Sequence, residues 1–254
     1  MKIIASGSFV LLSIAFLGFP SLSDFGGAKT SRIATGISAG TDIVKAATID
    51  DKEIATYSSQ YADWSDKKEK IAPAGSSYAT RLEKLTGGYV KEDGLKLNFK
   101  AYINPEPNAF SLANGTIRVN SGLMDMMSDE ELLSVIGHEI GHIKLGHSKS
   151  RFRTAYLASA ARKGAAGAAG GTAGVLVASE LGGLGEQLVK AQFSQSNEKE
   201  ADDYGLKFMK AHKLKAEASV SALNKLAGVG NKSSIFSSHP DSKARAKRLS
   251  DQLK

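Results

Sequence analysis

Apolar and polar residues follow two different periods along this chain, and the helical period comes first. Ile54, Tyr57 and Tyr61 recur at helical spacing with charged residues between them, which predicts an amphipathic helix over residues 50–70. A second segment with helical spacing follows Pro73. The folded part of the chain is therefore expected to begin with two helices.

The period then changes to two. Leu95 and Leu97 alternate with polar residues, which predicts a half-buried strand that continues to Ile103. Further along, Asn114-Gly115 separates two strand-like runs, a strong hairpin signal because both residue types tolerate positive φ. We therefore expect one small antiparallel sheet ahead of the next helix.

That next helix carries the chain's main candidate for chemistry. Ser128 and Glu131 have the spacing of a capping box, which predicts a helix start. The residues that follow are broadly apolar, as expected of a buried helix, and they contain the motif HEIGH at residues 138–142. The helix is expected to end near Gly146.

The remaining segments also favour helices. One long helix is expected from Gly185 to Ala211, a shorter one over residues 216–227, and a last one with Pro240 in its first turn. In residues 164–185, 14 of 22 residues are Gly or Ala, which indicates a mobile loop or a closely packed small-residue helix. A lid over an active site is the sharper alternative. The elements together predict an α+β fold that is mostly helical.

Composition narrows the function classes. The chain has 254 residues, 42% of them hydrophobic, and a formal net charge of +7. The basic residues are spread along the chain without interleaved aromatic residues, so we expect no nucleic acid partner. The absence of cysteine excludes disulfides, thiolate metal ligands and a cysteine nucleophile. Any metal ion must therefore be held by His, Asp or Glu.

The N-terminal segment has the pattern of a secretory signal. Residues 1–23 combine Lys2, a mostly apolar stretch over residues 3–19 and small residues at a suitable cleavage spacing. The alternative is an uncleaved anchor that would associate the protein with the membrane surface. Residues 24–49 are rich in Gly, Ser, Thr and Ala and predict a linker, which leaves residues 50–254 as the folded domain.

The motif has the spacing of a catalytic metal site. His138 and His142 are four residues apart on a helix, so they point to the same side and can bind one ion. Zinc accepts such ligands, and a catalytic zinc site leaves one position for water. Glu139 lies beside the first ligand and can take a proton from that water. These three residues predict a zinc-dependent peptidase.

A third ligand is expected further along the chain. Glu198 and Asp202 share one face of a predicted helix, so one can bind the metal while the other orients a ligand histidine from behind. The residues alone favour Glu198 only weakly, and Glu200 is expected to point elsewhere.

The other histidines have less definite roles. His147 and His212 are expected at helix ends, with His147 off the ligand face. His239 lies in a Ser-His-Pro turn, where it can donate to an oxyanion or cap the zinc in a resting state.

Taken together, these motifs resemble the zinc metallopeptidase family that includes LoiP, BepA and HtpX, which is distantly related to the CAAX prenyl proteases. The likeness covers about residues 71–249 and is strongest to the LoiP-like periplasmic members. It implies a zincin-like domain with one Zn²⁺ per chain and with Glu198 as the third ligand. It also implies that Asp202 and Arg245 support the ligands and that His239 acts near the metal as a catalytic donor or a gate.

The same resemblance implies what the protein acts on. Asn108, Ala109 and Phe110 would hold substrate as a strand added to the sheet edge. The substrates would be misfolded or unassembled cell-envelope proteins, and the location periplasmic. LoiP-like proteins are often lipoproteins, and the lack of cysteine here argues against that anchor. The competing interpretation is a zinc-binding, chaperone-like module with gated or little proteolytic activity, against which an intact Glu139 argues.

Overall fold

The computed structural model of the protein describes residues 49–166, 176–229 and 238–254. The expected signal segment, all but the last residue of the expected linker, and the centre of the Gly- and Ala-rich segment lie outside these ranges. Within the described residues, no helix is both long enough and apolar enough to span a bilayer. The described elements form a mostly helical α+β structure with two small sheets, as the sequence predicts.

The first two helices are confirmed. Helix α1 spans Asp51–Lys68 and begins with a capping box between Asp50 and Glu53, in which each side chain bonds the backbone N–H of the other. Helix α2 spans Ser77–Thr86 and passes into one turn of 3₁₀ helix at Gly87–Tyr89. The buried face of α1 packs against later helices, so this helix forms one wall of the domain.

The strands form one two-stranded and one three-stranded sheet. The elements in chain order are β1 (Lys91–Glu92), β2 (Leu95–Lys96), β3 (Asn98–Tyr102), β4 (Ala109–Ser111) and β5 (Thr116–Asn120). Strands β4 and β5 are antiparallel, which confirms the predicted hairpin. Strand β3, however, pairs with β5 in parallel, so the three-stranded sheet is mixed, and the expectation of a purely antiparallel sheet was wrong. The reason is the connection over residues 103–108, which carries the chain across the sheet and leaves β5 in the middle.

The hairpin turn uses only one of its two candidate residues for positive φ. Gly115 has φ 89°, and a Cβ at this position would lie 2.0 Å from the carbonyl oxygen of Lys96. Asn114 instead stays at negative φ and accepts a hydrogen bond from the Thr116 amide at 3.2 Å. The turn therefore requires glycine at its second residue for both conformation and space.

Helices make up the rest of the described chain. In order they are α3 (Ser121–Met126), α4 (Asp129–Lys144), α5 (His147–Ala166), α6 (Ala178–Lys190), α7 (Gln195–Ala211), α8 (Glu217–Val229) and α9 (Ser242–Gln252). The predicted capping box at the start of α4 is present.

Two helix predictions were wrong in their boundaries. The expected long helix to Ala211 is interrupted between α6 and α7, because the Ser194 side chain accepts a hydrogen bond from the Asn197 amide at 3.1 Å and starts a new helix. Pro240 precedes α9 rather than lying in its first turn, since Asp241 is the N-cap.

Helices α4 and α7 pack against each other with little space between them. A Cβ at Gly137 of α4 would lie 2.7 Å from a ring carbon of Phe208, and one at Gly205 of α7 would lie 3.2 Å from the backbone nitrogen of His138. Helix α4 is buried along most of its length, next to the three-stranded sheet. The glycines let the two helices that carry the candidate ligands approach closely.

Candidate metal centre

Two buried histidines of α4 form one half of the centre. His138 and His142 stand one turn apart on the buried face of the helix, with relative exposures of 8% and 0%. Their Nε2 atoms lie 2.9 Å apart and converge on the same point. The predicted pairing of these two histidines on one helix face is therefore present.

Glu198 of α7 completes a triangle with them. Its Oε1 lies 3.4 Å from His142 Nε2, and its Oε2 lies 3.6 Å from His138 Nε2. The side chain is buried, which is unusual for a glutamate unless it is paired or binds a metal. The structure therefore brings the predicted third ligand to the two histidines.

His239 supplies a fourth donor atom. Its Nδ1 lies 3.0 Å from Glu198 Oε1 and 3.4 Å from His138 Nε2. Its Nε2 lies 3.4 Å from Glu139 Oε1. One donor atom from each of His138, His142, Glu198 and His239 lies within 4.8 Å of all the others. His239 thus stands at the metal cluster, as the resemblance implies.

The donor set fits zinc. Imidazole nitrogens and carboxylate oxygens are ordinary zinc ligands, and two ligands about 2.0–2.1 Å from a tetrahedral zinc ion lie about 3.4 Å apart. The nitrogen and oxygen separations given above are close to that value. In addition, Glu139 is buried, and among the described residues its Oε2 has no hydrogen-bond partner. A buried carboxylate oxygen without a structural partner is expected beside a catalytic metal rather than in a folding core.

Asp202 and Arg245, the predicted supporting residues, lie directly behind the candidate ligands. Asp202 Oδ1 lies 3.0 Å from His138 Nδ1, the ring nitrogen that faces away from the cluster. Arg245 donates to both carboxylate oxygens of Asp202, at 2.9 and 2.6 Å, and its Nη1 contacts Glu198 Oε2. One buried cation therefore lies between two buried carboxylates on α7 and partly neutralises both.

The protonation states in this cluster favour metal binding. Burial, together with the nearby charge of His138, holds the pKa of His142 well below its usual range. Burial alone would raise the pKa of Glu198, but the neighbouring His239 and Arg245 hold it well below its usual range. The pKa of Asp202 is lowered to about 2 against the effect of burial, through its hydrogen bonds to His138 and Arg245. A neutral imidazole and an ionised carboxylate are the forms that bind zinc.

His147 contacts one of the candidate ligands, which the sequence did not predict. It is the first residue of α5, so its expected place at a helix end is confirmed. Gly146 has φ 77°, which turns the chain so that the buried His147 ring faces back to His142, with the two Nδ1 atoms 3.2 Å apart. Glu200, expected to point elsewhere, contacts the far nitrogen of His147 at 3.2 Å. The only sequence signal was a histidine directly after the glycine that ends α4.

An aromatic ring covers His142 from the interruption between α6 and α7. The rings of Phe193 and His142 are stacked, with centroids 3.7 Å apart and planes 18° apart. The guanidinium of Arg151 lies over Phe193 at 4.8 Å and donates hydrogen bonds to the carbonyl oxygens of Leu188 and Ala191. Only the tertiary fold brings these residues to the metal cluster, so no local sequence pattern could have indicated them.

A cavity of about 240 Å³ runs along the edge strand β4. The predicted substrate-binding residues Asn108 and Phe110 line it, together with Tyr61, Arg151 and Ser238. Ala109 is buried and pairs with Val119 of β5, so its side chain faces the core instead. The cavity thus lies between the sheet edge and the segment that carries His239.

Comparison with known proteins agrees with this geometry. Residues 81–253 match the model of peptidase family M48. The chain is 42% identical over 220 residues to the metalloprotease LoiP of Escherichia coli (strain K12), a match that covers 85% of this chain and 87% of that protein.

Two further relatives extend the comparison. Metalloprotease YcaL of the same organism is 36% identical over 220 residues, covering 85% and 86% of the two chains, and a protease HtpX homologue of Bordetella petrii is 27% identical over 224 residues, covering 74% and 76%. The resemblance that the motifs indicated is thereby confirmed. The match over most of the chain shows that this protein belongs to peptidase family M48 and is a metalloprotease.

Proposed function

We propose that the protein is a zinc-dependent endopeptidase that hydrolyses peptide bonds in misfolded or unassembled cell-envelope proteins. The observation that carries the proposal is the position of Glu139. Its carboxylate is buried beside His138 and His142, and its Oε2 has no hydrogen-bond partner in the described part of the chain. Apart from the 3.4 Å approach of its Oε1 to His239 Nε2, no contact within the described residues accounts for a buried carboxylate there, whereas hydrolysis requires a base at that place.

Different residues of the chain have different roles in the reaction. Bound by His138, His142 and Glu198, zinc would supply a Lewis acid that acidifies water and polarises the scissile carbonyl. Glu139 takes the proton from the attacking water and later gives it to the leaving amine. Asp202 accepts from His138 Nδ1 at 3.0 Å, which keeps Nε2 of that ring available for the metal.

His239 closes the cluster in the arrangement described here. Its Nδ1 lies among the ligand atoms, at the corner where a catalytic zinc site would leave room for water. In this position His239 acts as a gate, and substrate entry requires it to move away. Once displaced, its ring can donate a hydrogen bond to the developing oxyanion.

The edge strand supports an extended, backbone-bound substrate. Strand β4 lies at the edge of its sheet, paired with β5 alone among the described strands. An added strand uses main-chain hydrogen bonds, which any unfolded segment can offer, while the cavity beside Asn108 and Phe110 receives side chains. This favours unfolded proteins as substrates over any particular sequence.

The proposed cellular setting rests on the N-terminal segment. Residues 1–23 have the pattern of a secretory signal, which supports a periplasmic location for the peptidase. If that segment stays uncleaved, the enzyme would be held at the membrane surface. N-terminal sequencing of the mature protein separates the two, since a start near Asp24 rules out the anchor.

The test of the function compares wild type with Glu139→Gln, both zinc-loaded and with matched zinc content, on unfolded casein. Glutamine keeps the size of the side chain but cannot accept the proton, so we expect the rate to fall by about a thousandfold. Casein that binds to both proteins and is cleaved by neither would overturn the endopeptidase. That result would favour the chaperone-like zinc module, which the closed position of His239 would suit.

A further inference from the structure

His142 has a second histidine, His147, on the side of its ring that faces away from the metal cluster. We propose that His147 and Glu200 form a positioning pair for His142, which fixes the tautomer and edge of its ring and thereby raises the affinity of the centre for zinc. The proposal rests on the proposed function only so far as that function needs zinc at this cluster.

The other ligand histidine shows what such a pair does. A histidine that binds metal through Nε2 carries its proton on Nδ1, and that proton needs an acceptor. For His138 the acceptor is Asp202, at 3.0 Å from Nδ1. Among the residues that the structure describes, no carboxylate takes this place for His142; its Nδ1 instead faces Nδ1 of His147 at 3.2 Å.

Only one arrangement of protons along this chain of groups leaves His142 free to bind. His142 Nδ1–H donates to His147 Nδ1, so His147 carries its proton on Nε2 and donates it to Glu200 Oε2 at 3.2 Å. The opposite arrangement would put a proton on His142 Nε2, the atom that lies 2.9 Å from His138 Nε2 within the cluster. Glu200, an acceptor only, therefore selects the tautomer that can bind zinc.

The burial of the three groups explains why a second histidine is needed. His142 is fully buried and His147 is 6% exposed, whereas the Glu200 side chain is 53% exposed. His147 bridges the distance between a surface carboxylate and an interior ligand. Glu200 is itself held by a hydrogen bond from the Ser196 hydroxyl at 2.9 Å.

Phe193 restrains a different part of the same ring. Its stacked ring covers one face of His142, while the hydrogen bond from Nδ1 holds the edge. The plane and the edge of the ligand are thus fixed by separate residues. Glu200 also lies two residues from Glu198 on α7, so a single helix supplies the third ligand and the end of the positioning pair.

The experiment measures zinc affinity, by competition with a chromophoric chelator, and the visible spectrum of the Co²⁺-substituted protein. In His147→Leu the hydrogen-bond acceptor for His142 is lost. We therefore expect the zinc affinity to fall by about 10- to 100-fold, the usual cost of losing such a partner, and the Co²⁺ spectrum to change. His147→Asn places an oxygen acceptor near the lost Nδ1 and should restore most of the affinity.

Matched controls come from two other sites of the chain. His212 and Glu92 form a pair of the same type at 2.9 Å, away from the ligands, so His212→Leu should leave zinc affinity unchanged. Glu200→Ala should lower the affinity several-fold, whereas Asp203→Asn, at an equally exposed carboxylate of α7, should not.

A purely structural role for the pair predicts a different outcome. The proposal is overturned if His147→Leu lowers only the melting temperature of the metal-free protein while zinc affinity and the Co²⁺ spectrum match wild type. Should that variant fail to fold, an unchanged affinity in Glu200→Ala overturns it equally. All binding measurements are repeated in the Glu139→Gln background. The test of the positioning pair therefore does not depend on whether the protein cleaves casein.

Discussion

A charge cluster around Asp66 and the metal cluster, both in the described part of the chain, are built differently. In the first, Asp66 of α1 receives hydrogen bonds from Arg118 at 2.8 and 3.0 Å, from Lys100 at 2.6 Å and from Tyr102 at 2.6 Å. Both carboxylate oxygens are therefore occupied by partners from the three-stranded sheet. The cluster fastens α1 to the sheet.

In the metal cluster, by contrast, some buried polar atoms are left without partners. Glu139 Oε2 and His239 Nε2 have no hydrogen bond within the described residues, and two imidazole nitrogens face each other at 2.9 Å. An arrangement of this kind costs stability, and proteins retain it where the atoms serve binding or catalysis. In this protein, the completeness of hydrogen bonding therefore distinguishes the charge cluster around Asp66 from the metal cluster.

The largest effect that would test this comparison is expected at Arg245. In Arg245→Met, Asp202 and Glu198 lose their buried counter-charge, so the metal-free protein should lose about 3–5 kcal/mol of unfolding free energy. Zinc also neutralises Glu198, so the loss should be smaller in the zinc-loaded protein. Urea unfolding with and without zinc measures both values. Equal losses in the two forms would show that Arg245 and the metal do not share the same carboxylates.

A smaller effect is expected in the structural cluster. Asp66→Asn leaves the buried Arg118 without its carboxylate and should cost about 2–3 kcal/mol, with zinc affinity and casein cleavage unchanged below the unfolding temperature. Asp63→Asn, at an exposed carboxylate of the same helix, should change stability by less than about 0.5 kcal/mol. A loss of zinc affinity in Asp66→Asn would show that the cluster around Asp66 also contributes to metal binding.

The smallest effect is a dependence on pH. Hydrogen bonds from Arg118, Lys100 and Tyr102 outweigh burial and lower the pKa of Asp66 from 3.8 to about 2. A lowered pKa stabilises the fold above the unfolded value, and this contribution is lost as pH falls from about 4 towards about 2. The gap in unfolding free energy between wild type and Asp66→Asn should therefore narrow by about 1 kcal/mol between about pH 5 and about pH 3. A difference in unfolding free energy that stays constant would mean that these hydrogen bonds do not lower the pKa of Asp66 in the folded protein.

The features that the sequence predicted depend on residues close together along the chain. The capping box at Ser128 and the spacing of His138 and His142 lie within one helix, so the geometry of that helix alone brings them into place. The hairpin at Gly115 is equally local. For Glu198, local spacing narrowed the choice to one helix face, and the family resemblance chose between the two acids.

The features that the sequence did not predict depend on contacts between segments that are distant along the chain. The parallel pairing of β3 with β5 follows from a crossing that no period in the sequence records. Phe193 reaches His142 only because the chain breaks between α6 and α7, where the Ser194 cap starts a new helix. His147 was placed at a helix end, but its contact with His142 depends on the direction in which the chain turns at Gly146.

The close approach of α4 and α7 has a consequence for the size of the ion. His138 and His142 stand on one helix and Glu198 on the other, so the distance between the helices sets the width of the coordination sphere. A methyl group at Gly205 would lie 3.2 Å from the His138 nitrogen and would push the helices apart. Zinc ligands lie about 2.0–2.1 Å from the ion, whereas calcium prefers about 2.3–2.6 Å. The missing side chains at Gly137 and Gly205 thus let the candidate ligands of the two helices lie close enough together for the short bonds that zinc forms.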